Sequence, residues 1–259
     1  MIGGKFQQIP NPNTFLLKRE GGISSVNFNT DFIDERGCFA DPHVFFMSNM
    51  GSAFDWSVWK FNPRDPTGSL IKSFPLYGRN ILHDISPDGN SLLIRHVEDD
   101  WDEVWLIPKN IGKKEILISE YRGRFDCLRF SKDGKSVFVS SNRVNQNGVM
   151  ALNRFDLGEK RWYSFDFDSR GRETEREVVD LAMGENKFLV ARSFKGVGSI
   201  ELWDPETLEN EVLDFGGARF GPPQSLRWSK DGRRFLFLAP TASGQIALFV
   251  ANLGQERAV

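Results

Sequence analysis

The chain of 259 residues carries 33 Lys and Arg against 35 Asp and Glu, a net charge of −2, with 40% apolar residues, 24 Gly and 12 Pro. This balance excludes a basic nucleic-acid surface as the basis of function, and so much apolar material excludes a disordered chain. No apolar run approaches the roughly 18 residues that cross a bilayer, so no membrane and no nucleic-acid partner is expected.

The N-terminus, Met1-Ile2-Gly3-Gly4-Lys5, runs into polar sequence without the apolar core of a secretion signal, and a cytoplasmic location is expected. Thr14–Lys18 reads as a strand standing ahead of the rest. A first repeat, residues 21–78, opens with Val26-Asn27-Phe28, makes a lengthened turn, and continues through His43–Asn49, Ser57–Phe61 and Leu70–Phe74. The second repeat, 79–122, has one strand before Ser86 and another from Leu92, then Glu103–Ile107 and Glu115–Ser119. In the third, 123–169, the later strands are Val149–Asn153 and Trp162–Phe165. Glu173–Met183 lacks a helix cap and a full apolar stripe, and is expected as loop followed by strand. The fourth repeat, 177–217, continues through Ser199–Trp203 and Glu211–Asp214. The fifth, 222–253, reaches Gln245–Phe249 and has no fourth strand before Val259.

The repeats are keyed by Ser86-Pro87-Asp88-Gly89, Ser131-Lys132-Asp133-Gly134 and Ser229-Lys230-Asp231-Gly232, each followed by an apolar run. Asp-Gly suits a tight hairpin, because Gly reaches positive φ freely and Asp tolerates it while accepting nearby backbone N–H groups. Counted from the first apolar residue of the second strand, the copies begin at Val44, Leu92, Val137, Phe188 and Phe235, a step of 45 to 51 residues. Four-stranded antiparallel units at a fixed period cannot bury their faces alone and stack radially. The expectation is therefore an all-β, five-bladed β-propeller in a single domain, with residues 13–20 completing the last blade and closing the ring.

The Ser-x-Asp-Gly hairpin, its apolar strand and the Ser140-Ser141-Asn142-Arg143 that follows resemble the TolB-type repeat, also found in the propeller domains of prolyl oligopeptidase-like enzymes. That resemblance implies a propeller and specifies no activity. The hydrolase domain of the peptidase relatives is not expected, since nothing follows the fifth copy, and no Gly-x-Ser-x-Gly elbow occurs.

Ligands of propellers gather where the loops entering the first strands and joining the second to the third surround the channel mouth. Asp55-Trp56 and Asp100-Trp101 end two of those loops, each a Trp beside a carboxylate that can stack on a sugar ring, anchor a protein, or pack blade on blade. Asn80, His83, Arg124, Asp126 and Gln224 fall near the starts of first strands, as a polar channel mouth. Asp84, Arg129 and Arg227 share one position in three copies, with Asn27 and Ala182 in the others, and are expected to pair between blades. Glu98-Asp99-Asp100 is expected as a solvated hairpin tip. His43, His83 and His96 lack zinc spacing, Cys38 and Cys127 make no metal or disulfide framework, and no phosphate loop is present, so neither metal nor cofactor is expected.

Two functions compete. The favoured one is a non-catalytic scaffold that binds a protein or peptide through loops on one face, with no catalytic residue assigned. The alternative is a carbohydrate-active enzyme with a small molecule or glycan as ligand, because Phe39-Ala40-Asp41-Pro42-His43-Val44 is similar to the Asp-Pro element of five-bladed arabinanases and fructosidases. Asp41 lies in a turn opposite the expected binding face, and Phe220-Gly221-Pro222 lacks the acid of a Glu-Gly-Pro element. A regulatory propeller that serves a separately encoded hydrolase is a third possibility.

Overall fold

The computed structural model describes residues 14–17, 23–26, 34–40, 43–48, 55–62, 65–75, 79–108, 114–142, 149–165, 176–184, 186–207, 209–229 and 232–253; up to residue 78 only Val58 and Lys60 have described side chains. Every described element is a strand. β1 (Thr14–Leu17) and β2 (Ile23–Val26) form a separate antiparallel hairpin. The first sheet runs in order β3 (Asp34–Ala40), β4 (His43–Ser48), β5 (Asp55–Asn62) and β6 (Asp65–Pro75). The second has β7 (Arg79–Ile85), β8 (Ser91–Glu98), β9 (Trp101–Pro108) and β10 (Glu115–Tyr121); the third has β11 (Phe125–Phe130), β12 (Ser136–Ser141), β13 (Ala151–Asp156) and β14 (Arg161–Ser164). The fourth comprises β15 (Glu177–Met183), β16 (Phe188–Phe194), β17 (Val197–Trp203) and β18 (Asn210–Val212); the last has three strands, β19 (Gln224–Trp228), β20 (Arg234–Pro240) and β21 (Ile246–Asn252).

One expectation is corrected at the N-terminal end. The first sheet opens with β3, not with Val26-Asn27-Phe28, because Val26 belongs to β2 and only residues 41 and 42 separate β3 from β4. Asn27 therefore leaves the position it was given beside Asp84. The strand at Thr14 forms and pairs with β2, and among the described residues the last sheet has three strands, ending on β21.

The first strands of consecutive sheets lie against one another, β3 on β7, β7 on β11, β11 on β15 and β15 on β19. Each carries a register shift: between Glu35 and Gly37, Leu82 and Asp84, Asp126 and Arg129, Val178 and Asp180, Gln224 and Arg227. Such bulges bend the strand and increase its twist. Between sheets, alternation sends one face of each to its predecessor and the other to its successor. Leu93, Val104 and Ile118 of the second sheet meet Phe125, Leu128 and Val137 of the third, while Phe138 and Leu152 on the third's other face meet Leu181, Phe188 and Val190 of the fourth. The abundance of Phe, 23 residues, is used most densely beyond that. Phe220, Phe235 and Phe237 pack on the fourth sheet, with Phe237 stacked on Phe249 at 4.9 Å and tilted on Phe220 at 5.0 Å.

The Ser-x-Asp-Gly turn is built alike wherever it is described. The Gly89 N–H donates to the Ser86 carbonyl and the Ser86 N–H to that of Ser91; Ser131, Gly134 and Ser136 repeat this, as do Ser229, Gly232 and Arg234. Gly89, Gly134 and Gly232 have φ of 71°, 71° and 65°, values that a side chain strains. The Ser86 hydroxyl donates to Asp88 Oδ1 at 2.5 Å and accepts the Ser91 N–H at 2.8 Å. Ser131 serves Asp133 and Ser136 in the same way, at 2.6 and 2.9 Å. These serine hydroxyls, then backbone N–H groups, hold Asp88 and Asp133 below the ordinary 3.8. Replacing the buried Ser86 by Ala removes one hydroxyl from three bonds, and is expected to lower stability by about 1 kcal/mol in urea denaturation, with Ser131→Ala doing likewise. No change in either midpoint would show that the hydroxyls do not hold the turns.

Candidate functional site

The starts of β7 and β11, the turn between β8 and β9, and the connection from β10 to β11 come together at one end of the second and third sheets. The cause is an ion pair built on a buried carboxylate. Arg95, on β8, points Nε at both oxygens of Asp102 at 3.0 Å and Nη2 at Oδ2 at 2.7 Å. Asp102 Oδ2 also accepts the Phe125 N–H at 3.1 Å, so one carboxylate ties the second sheet to the first residue of β11. Arg95 Nη1 lies 3.8 Å from Asp126 Oδ1, and Asp126 accepts from Arg124 at 3.3 Å. The Arg124 N–H donates to Asn142 Oδ1 at 2.8 Å. The fourth sheet repeats the theme where Arg192, 3% exposed, donates to Glu201 at 2.8 Å, and Trp203 Nε1 joins it at 2.9 Å.

Outward from this network lies an exposed aromatic rim. Trp101, 49% exposed, stands directly opposite Tyr121 in the β9–β10 pairing, and the rings meet edge-on at 5.7 Å. Asp100 accepts from the Tyr121 hydroxyl at 3.1 Å and from Arg122 Nη2 at 3.5 Å, while the Arg122 N–H donates to the Asp100 carbonyl at 2.6 Å. The turn and the β10–β11 connection are thus fastened together, and Trp101 rides on a rigid base.

Of the residues singled out in the sequence, the structure brings Asp100, Trp101, Arg124 and Asp126 to this one end. Asn80 is buried beside them, with Oδ1 2.8 Å from His96 Nδ1. His83 lies deeper, buried at the β7 register shift, and its carbonyl accepts from Arg129 at 3.2 Å. Gln224 opens β19, exposed, on the last sheet. Asp55 and Trp56 open β5, and their side chains lie outside the described residues. Arg95, Tyr121 and Arg122 were not singled out. Tyr121 had a readable signal, because extending the fourth strand by two residues sets it opposite Trp101.

Asp84, Arg129 and Arg227 resume their ladders directly after the register shifts, and so does Asp180, which places it rather than Ala182 in this row. Signs alternate along the arc: Arg129 Nη2 lies 3.4 Å from Asp180 Oδ1, Asp84 Oδ2 accepts the Phe130 N–H at 2.8 Å, and Asp180 Oδ2 accepts the Leu226 N–H at 2.8 Å. Of the three expected charges, Arg129 makes an ion pair between sheets, with Asp180, and Asp84 bonds a backbone N–H of the next sheet. Among the described residues, no group of three or more His, Cys, Asp or Glu could hold a metal ion.

No family profile and no curated protein matches the sequence. Solved structures do match. A puromycin hydrolase superimposes with a TM-score of 0.67 at 14% identity over 88% of this chain and 37% of that one. An oligogalacturonate lyase in complex with manganese gives 0.67 at 13% identity over 95% and 69%. A putative TolB from Agrobacterium tumefaciens gives 0.65 at 15% identity over 95% and 86%. The chain spans little more than a third of the puromycin hydrolase, and 48% of a TolB from Acinetobacter baumannii that it also resembles. At these identities the likeness establishes the fold, TolB-like and prolyl oligopeptidase-like as the hairpin motif implied.

The row of charges gives a pH signature. Loss of solvent raises the Asp84 carboxyl above 3.8, against the opposing pull of Arg129, the Phe130 and Ile85 N–H groups and Arg227. A carboxyl raised in the folded state contributes stability below its unfolded value, and loses that contribution as pH rises through the raised value. The stability of the native chain relative to Asp84→Asn is therefore expected to be greatest below about pH 4 and to decline as pH rises, measured by urea denaturation across pH. A relative stability that instead grew with pH would mean that Arg129 outweighs desolvation.

Proposed function

We propose that the chain is a non-catalytic five-bladed propeller that binds a protein or peptide through the loops at the Trp101 end. The observation that carries this reading is the half-exposed Trp101, set edge-on against Tyr121 and anchored through Asp100 and Arg122. Exposed aromatics on rigid supports are the anchors that dominate protein interfaces, since little side-chain freedom is lost on binding. Two carboxylates at the base of this end are already engaged and are poorly placed for glycoside chemistry. Asp102 is clamped by Arg95, and Asp126 is engaged by Arg124 and Arg95. A glycosidase needs two carboxylates free to face one bond.

Five blades and a closed ring complete the proposal, with the N-terminal strand β1 as fourth strand of the last blade. Two features support it. The last sheet has three strands where the four before it have four, and β1 precedes them all. In addition, Leu236, Ile246, Leu248 and Val250 are 39%, 57%, 57% and 41% exposed on the face of the last sheet that points away from the fourth, the kind of surface that the middle sheets bury against a successor. The first sheet is the successor that a ring supplies.

Affinity capture from a lysate of the source cells, with the native chain and with a folded Trp56→Ala, Trp101→Ala variant, tests the binding reading. A stoichiometric partner retained by the first and lost by the second is expected; equal capture by both, or none, overturns it and moves weight to a glycan ligand. Closure is tested by Leu248→Asp. In a closed ring it buries a charge against the first sheet and is expected to cost about 2 kcal/mol or more, whereas a melting temperature unchanged from the native chain would leave that face open.

A further inference from the structure

The aromatic rim belongs to a longer stripe whose chemistry points to a particular kind of partner. On one face of the second sheet, cross-strand pairing lines up Glu98, Trp101 and Tyr121 in one row and His96, Glu103 and Ser119 in the next, with Trp105 behind them on β9. Two of the three large aromatics already carry a cation from this chain. The Lys114 ammonium sits 3.4 Å from the centroid of Trp105, whose opposite contact is His96, stacked at 4.1 Å, and the Arg122 guanidinium lies 5.2 Å from the Tyr121 centroid. Carboxylates reinforce both: Glu103 accepts from Trp105 Nε1 at 2.6 Å and from Ser119 at 2.9 Å, and Asp100 holds Tyr121 and Arg122.

Trp101, the third aromatic, is flanked by the same kind of charge. Glu98 stands directly across from it with its side chain 48% exposed, and the exposed Asp99 and the 53%-exposed Asp100 form the turn beside it. The negative face of an indole attracts cations, most of all where carboxylates surround it and the ring is held still. Glu98 meets His96 Nε2 at 3.3 Å on its inner side and is otherwise turned to solvent, so an acidic segment would meet repulsion from Glu98 and Asp99, and a purely apolar one would cover their charges without pairing them.

Taking the protein-or-peptide reading as its premise, we propose that the Trp101 end recognises a Lys or Arg side chain of the partner, seated on the Trp101 ring between Glu98 and Asp99. The chain thus repeats for its partner what it does for itself with Lys114 on Trp105 and Arg122 on Tyr121.

The test follows the indole N–H resonances of the 15N-labelled full chain, with Trp101 assigned from Trp101→Phe, during titration with acetyl-Arg-Arg-Arg-amide and, separately, acetyl-Glu-Glu-Glu-amide. The expected result is a saturable shift of the Trp101 resonance with the arginine peptide only, weakened at least about threefold in Glu98→Gln, Asp99→Asn, where both shapes are kept and the charges removed. Equal shifts with the glutamate peptide, or arginine-peptide shifts confined to other Trp resonances, would overturn the inference. Its fate separates from that of its premise. A captured partner whose Trp101-contacting segment contains neither Lys nor Arg would sink the cationic preference and leave docking intact. Arginine-peptide binding without any captured partner would do the reverse.

Discussion

The first strand of every sheet is an edge, and an edge leaves N–H groups with no ladder partner. In this chain the carboxylate of a neighbouring sheet supplies what the ladder lacks. Asp102 and Asp84 reach from the second sheet to the N–H groups of Phe125 and Phe130, near the two ends of β11, and Asp180 reaches from the fourth to Leu226 inside the β19 register shift. Between the third and fourth sheets, backbone does the same work, with the Val178 N–H donating to Met150 and the Ser140 hydroxyl to the Val178 carbonyl. Apolar faces supply most of the attraction between sheets, but they tolerate sliding. A bond from a fixed carboxylate to one N–H does not, and it sets the height at which each sheet meets the next.

That constraint explains what the sequence could and could not disclose. The period, the third and fourth strands and the strand that ends Glu173–Met183 were legible, because Asp-Gly turns and period-2 alternation are local. The first strand of the first sheet was not. Residues Asp34, Glu35, Arg36 and Gly37 open β3 without apolar alternation, and neither Ser-x-Asp-Gly nor a longer turn separates β3 from β4. The more apolar Val26-Asn27-Phe28 won on pattern, although Val26 serves β2. Asp180 was hidden for a related reason. Counting back from the hairpin gives Ala182, whereas the register shift in β15 lies farther from its turn than in β7 and hands the position to Asp180.

The site divides along the same line. Asp126 and Arg124 were legible as polar residues at a strand start, yet Arg95, which meets Asp126, sits in mid-strand on β8, where sequence offers only a charge in a mostly apolar strand. The Arg95–Asp102 and Arg192–Glu201 pairs fasten strands within their own sheets, and Asp102 also reaches the Phe125 N–H of the next sheet, while Trp101, Tyr121, Glu98 and Asp99 stand outside on the rim. Binding chemistry can vary on such a rim without loosening the interior.

The alternating row, Asp84, Arg129, Asp180 and Arg227, raises a question of parity. An odd number of positions around a closed circle cannot alternate two signs throughout, and somewhere like must stand beside like. The corresponding position in the first sheet, the residue that resumes pairing after the β3 shift, is Gly37. A negative charge there would adjoin Asp84, and in the proposed closed ring a positive one would adjoin Arg227. Gly37 carries no charge and so sets no like charge beside Asp84 on the neighbouring β7, and in the closed circle of five proposed above it would do the same beside Arg227.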